Sequence, residues 1–144
     1  MPLTATEVRT YIEDTPAANL LMDNVEEFSD GRIDLAMELA VSTFNVMPPA
    51  ELQQVASFPV KSILLYGTLA KLFEGQAALS ARNTMNYSDG GITLPIEERY
   101  GMYLQLAEKY NSLFMMEASR YKVQVNLESG WGEVSSDYNH NPIW

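Results

Sequence analysis

Apolar residues recur along most of the chain at intervals of three and four, the period of a helix with one buried face. Val8, Tyr11 and Ile12 make the first such group, and Thr4 with Glu7 three positions later forms a capping-box pattern at its start. A short helix ending near Asp14 is predicted. Pro16 interrupts the pattern, and Leu20, Leu21, Val25 and Phe28 then lie among acids and amides with no clear period, which fits a strand or an irregular connection. Ser29 suits a helix N-cap, and Phe28 before it with Ile33 after it matches a hydrophobic staple. Ile33, Ala36, Met37, Ala40, Val41 and Phe44 carry the second helix to the Pro48-Pro49 pair.

After a loop at 50–57, Pro59 is suited to a first helical turn, and 60–85 is rich in helix formers. Ile63, Gly67, Ala70, Ala77 and Ala81 make one side of this third helix small, while Leu65, Leu69, Leu72 and Leu79 widen its apolar surface. Such a helix is covered on most sides. Each of Gly67 and Gly75 costs a helix about 1 kcal/mol relative to alanine, which points to close approach of a neighbour. Asn86-Tyr87-Ser88-Asp89-Gly90-Gly91 ends the helix with turn-forming residues.

The fourth helix is predicted to start with Thr93 or Leu94 as cap, Pro95 in its first turn, and Glu97 and Glu98 at the positive end of the helix dipole. Its stripe is Ile96, Tyr100, Tyr103, Ala107, Tyr110, Phe114 and Tyr121, widened by Leu106 and Leu113, with Arg120 and Lys122 near the negative end. Tyr121, Val123, Val125 and Leu127 share one parity, so a change from helix to a short strand is expected near 121–127. From Glu128 onward, Gly130, Gly132, Ser135, Ser136, Asn139, Asn141 and Pro142 argue for an irregular segment. The expected architecture is mainly α: a small four-helix bundle-like domain over 1–127, then an extended C-terminal arm over 128–144.

At 144 residues, with 47% hydrophobic and 19% charged residues, the chain has the size and composition of one folded domain. The amino terminus lacks a basic segment followed by an apolar run, and no stretch of about 18 apolar residues occurs, so a soluble intracellular protein is expected. With no Cys and a single His, disulfides, thiolate nucleophiles and multi-histidine metal centres are excluded. There is no phosphate loop, dinucleotide fingerprint, Gly-x-Ser-x-Gly, His-Glu-x-x-His or calcium loop. Glu97 and Glu98 point about 100° apart on a helix and read as caps, not as a catalytic pair. His140 reads as a solvated tail residue. No catalytic, cofactor-binding or metal-binding residue is therefore assigned, and the chain is expected not to be an enzyme.

Net charge is −10, unevenly distributed: residues 1–58 carry ten acids against Arg9 and Arg32, residues 59–127 six acids against seven bases, and residues 128–144 three acids and no base. That sign repels phosphate and disfavours nucleic-acid binding through a basic patch. Trp131, Tyr138, Ile143 and Trp144 place large apolar groups in the irregular tail, where they either fold back on the bundle or dock on another chain. Their terminal position favours docking.

The arrangement resembles the head-to-tail connector, or neck adaptor, proteins of tailed bacteriophages. The likeness is carried by the small first helix Thr4-Ala5-Thr6-Glu7-Val8-Arg9-Thr10-Tyr11-Ile12 and by the second helix after an acidic segment. The long helix with Val60-Lys61-Ser62-Ile63-Leu64-Leu65-Tyr66-Gly67-Thr68-Leu69, the Arg82-Asn83 pair before Tyr87-Ser88-Asp89-Gly90-Gly91, and the segment 122–131 complete it. It covers about residues 4–138, and the chain departs from short connectors in its longer fourth helix and tail. The resemblance implies a virion protein assembled in the host cytoplasm: a homo-oligomeric ring below the portal, contacting portal and neighbouring neck or tail proteins. DNA passes through without specific binding, and no membrane is involved. A ring interface along the third and fourth helices is expected at Gly67, Ala70, Tyr103 and Tyr110. The competing expectation is a stand-alone acidic helical adaptor or chaperone holding one soluble partner.

Overall fold

The computed structural model describes residues 2–19, 24–84 and 96–132. Among these, four α-helices form a mainly helical, bundle-like domain: α1 (Ala5–Ile12), α2 (Asp30–Val46), α3 (Lys61–Thr84) and α4 (Ile96–Gly132), with a short 3-10 turn at Val55–Ser57. No strand occurs among the described residues. Helix α3 packs between α2 and α4, and α1 lies against α2.

The predicted start of α1 forms as a complete capping box: the Thr4 side chain accepts from the Glu7 amide and the Glu7 carboxylate accepts from the Thr4 amide. Its end is closed by Glu13 in the left-handed region, φ 54°, so that the Asp14 amide returns to the Arg9 carbonyl at 3.0 Å. Ser29 occupies the N-cap of α2, but its hydroxyl makes no capping bond. The preceding turn is instead held by Asp14, whose buried carboxylate accepts from the backbone amides of Glu27 at 2.7 Å and Phe28 at 2.9 Å and from Asn19 Nδ2 at 2.6 Å. The segment before α2 is thus irregular where described, and its polar groups are satisfied by one acid rather than by a ladder. Residues 20–23 and the expected break and cap at 86–95 lie outside the described residues.

All six apolar positions predicted for α2 are buried, and Phe28 and Ile33 share one cluster as the staple requires. In α3, Gly67 is the closest point of approach. A Cβ there would meet Ala40 Cβ of α2 at 2.8 Å and the Phe114 ring of α4 at 2.9 Å. Three helices converge on the missing side chain. Gly75 is different: a Cβ there would meet only Arg32 Nη2, at 4.0 Å, so the close approach expected at Gly75 does not occur.

Helix α4 corrects the strand expected at 121–127. Tyr121 packs on Phe44 and Val125 is half-buried one turn later, whereas Val123 and Leu127 are 59% and 56% exposed. The alternating row is thus divided between two faces of one helix, and the residue buried between them is Lys122, 1% exposed. The helix also includes 128–132, so the boundary expected between domain and arm at 127/128 falls inside α4, and the segment is not extended there. Arg120 and Lys122 therefore sit in the body of the helix and not in its last turn.

Candidate functional site

Of the residues expected at a ring interface, Gly67 and Ala70 are buried in the packing of the chain's own helices. Tyr103 and Tyr110 are half-buried and stack on Phe73, with ring centroids 6.2 Å and 5.8 Å away. Tyr103 also donates to Glu27 Oε1 at 2.6 Å, tying α4 to the turn before α2. Burial, with the Glu27 carboxylate second, pushes its phenol up to about 12. These four residues pack within the chain's own helices. Of the expected docking residues, Trp131 belongs to the last turn of α4, while Tyr138, Ile143 and Trp144 lie outside the described residues, as does His140.

Two polar assemblies complete the architecture. Arg9 donates through Nη2 and Nε to the Phe28 carbonyl at 2.8 Å and 3.3 Å, and pairs with Glu26 at 3.3 Å and with Asp30. With Asp14 beside it, this fastens α1 to the entry of α2. Glu7 pairs with Lys61 at the start of α3, and that hydrogen bond holds the Glu7 carboxyl below the usual carboxylate range. Much of the amino-terminal acid excess is thereby engaged inside the fold: Glu7, Asp14, Glu26, Glu27 and Asp30 each hold a neighbouring element.

Lys122 is the second assembly, one that sequence reasoning placed at its own helix end. Its Nζ donates to the carbonyls of Met47 at 2.5 Å and Pro49 at 2.8 Å and sits 4.4 Å from the centre of the Phe44 ring. Met47 is the C-cap of α2, so the lysine serves the negative end of another helix. Burial lowers its pKa, opposed by the nearby Glu51 carboxylate. The only signal for this in the sequence was its position one residue after Tyr121, on the flank of the apolar stripe.

Two rows of exposed apolar side chains lie on α2 and α4, besides other exposed ones such as Val25, Leu52 and Met102. On α2, opposite the buried face, Leu35, Leu39 and Val46 are 56%, 46% and 76% exposed, with Asp34 and Glu38 exposed along one side. On α4, Met116, Val123 and Leu127 are 41%, 59% and 56% exposed on the face that also carries Lys109 and Arg120. With 37 residues α4 is about 55 Å long against about 36 Å for the 24-residue α3, so one partner cannot cover it. Every residue from Val123 to Gly130 except Val125 is exposed.

Among the described residues, an open depression of about 420 Å³ is lined by Ser42, Thr43, Val46 and Met47. A groove of about 250 Å³ between α3 and α4 is lined by Ala70, Lys71, Glu74, Leu104, Ala107, Glu108 and Asn111, and its charged pair Lys71–Glu74 is closed on itself at 3.2 Å. Among the described residues, no group of three or more His, Asp or Glu is placed to hold a metal, and no helix is long and apolar enough to cross a membrane. Comparison with family models, curated proteins and solved structures finds no match to the chain.

Proposed function

We propose that this chain is a structural assembly subunit of a tailed-phage virion, a head-to-tail connector that forms a ring below the portal and lets DNA pass without binding it. The observation that carries the assembly part is the pair of exposed apolar rows on α2 and α4. Solvated rows of leucine, valine and methionine are costly to a monomer and are a common mark of a contact surface. The connector part draws on the resemblance in the short capped first helix, the acidic entry to the second and the long third helix. The net charge of −10 suits a duct: duplex DNA carries a negative charge about every 1.7 Å and slides past a surface that repels phosphate. The reading is non-catalytic and involves no cofactor.

Electron microscopy of the purified full-length chain, paired with a gel-shift assay on duplex DNA at about 50 mM salt, tests it, since low salt favours any electrostatic binding. Rings with an open centre and unshifted DNA are expected. Monomers without rings, or tight sequence-independent DNA binding, would overturn it.

A further inference from the structure

We propose that copies of this chain join head to tail, the α2 row of one subunit docking antiparallel on the α4 row of the next. The inference rests on the assembly reading above and specifies the two surfaces. The first argument is spacing. Leu35, Leu39 and Val46 are separated by four and then seven residues, and Met116, Val123 and Leu127 by seven and then four. Run antiparallel, the rows match position for position: Leu35 faces Leu127, Leu39 faces Val123 and Val46 faces Met116. Run parallel, they do not. Both rows then extend over the same length, about 16 Å at 1.5 Å per residue.

Charge gives the second argument. The α2 row is flanked by Asp34 and Glu38, and the α4 face carries Lys109 and Arg120. In the antiparallel register Arg120 stands opposite Ser42, one turn of about 5.4 Å from Glu38 and within reach of a guanidinium. Among the described residues Arg120 pairs with Glu117 at 3.4 Å, an exposed i,i+3 pair of little worth that is readily exchanged. A symmetric contact is opposed on α2, where acid meets acid, and neither row matches itself when run antiparallel, because a spacing of four and seven does not coincide with its reverse. The contact is therefore heterologous, one surface meeting a different one, and it repeats until a ring closes. Its α4 side presents exposed residues to a second copy, since every residue from Val123 to Gly130 except Val125 is exposed.

The test uses two full-length variants, Leu39→Glu and Val123→Glu, each at an exposed position, with mass read by sedimentation velocity and folding by helical circular dichroism. Wild type is expected to sediment as a species larger than a dimer. Each variant alone is expected to be monomeric, and an equimolar mixture is expected to form a pair that stops at two, joining the intact α2 row of one to the intact α4 row of the other. If either glutamate variant loses its helical signal, Glu38→Lys and Arg120→Glu carry the test: each weakens association about tenfold and the double variant restores it. Wild-type mass retained by either glutamate variant, or a mixture that stays monomeric while wild type assembles, overturns this interface and leaves the ring reading standing. A wild-type chain that never exceeds monomer mass removes both.

Discussion

Lys122 shows most plainly how one side chain joins distant parts of this chain. Its ammonium replaces solvent at the carbonyls of Met47 and Pro49, where α2 ends, and lies over Phe44 from the same helix. Replacing it by methionine keeps the apolar stem but leaves two carbonyls without their donor, a loss of about 1–3 kcal/mol that outweighs the relief of no longer burying a charge. The Lys122→Met variant should therefore unfold at lower urea concentration, and an unchanged midpoint would show that solvent already serves those carbonyls. Tyr103 makes a pH prediction of definite sign. Its phenol holds its proton to about 12 in the folded chain, against 10.0 for an unperturbed tyrosine. The stability linked to that proton is fully present below pH 10 and is lost as pH rises through 12. The stability gap between wild type and Tyr103→Phe, measured by urea unfolding, should narrow across that window, and curves that stay parallel would contradict the assignment. Lys122 acts oppositely, because a lowered lysine pKa makes folding more favourable as pH rises toward its unfolded value, so the two variants separate the effects.

Among the elements, α3 carries the sharpest contrast. Gly67 and Gly75 look alike in sequence, eight positions apart in one helix, yet a Cβ at Gly67 meets Ala40 and Phe114 below 3.0 Å while one at Gly75 meets nothing nearer than 4.0 Å. Gly67→Ala should destabilise by about 1 kcal/mol, since overpacking of about 1–3 kcal/mol exceeds the helix-propensity gain of about 1. Gly75→Ala should stabilise by up to about 1 kcal/mol. Thermal unfolding of the pair checks the signs, and a shared sign would contradict the packing described. The same contrast marks what the sequence made legible. The capping box, the staple and the core face of α2 follow from local spacing and could be read directly. The end of α4 could not, because four apolar residues of one parity fit a strand as well as two faces of a helix until Lys122 is seen to be buried between them. The residues expected at a ring interface have roles within the chain that spacing alone did not disclose: Gly67 and Ala70 serve internal packing, and Tyr103 and Tyr110 stack on Phe73. The exposed rows on α2 and α4 were hidden because Leu35, Leu39, Val123 and Leu127 become distinctive only once the core face is known.

For the molecule as a whole, charge and shape act together. Five of the amino-terminal acids hold elements in place, so the acid excess is partly a structural device, while Asp34 and Glu38 remain free beside the α2 row. The 37-residue α4 is longer than the 24-residue α3 and carries Lys109 and Arg120 on the face of its exposed apolar row. The proposed docking of the α2 row on the α4 row of the next copy would repeat unlike faces around an axis. Native mass spectrometry of the full-length chain over a range of concentrations tests this most directly. The account predicts one discrete assembly of more than two copies that persists on dilution, because a closed ring satisfies every interface. A chain that remains a monomer, or stops at a symmetric dimer, at all concentrations would contradict it.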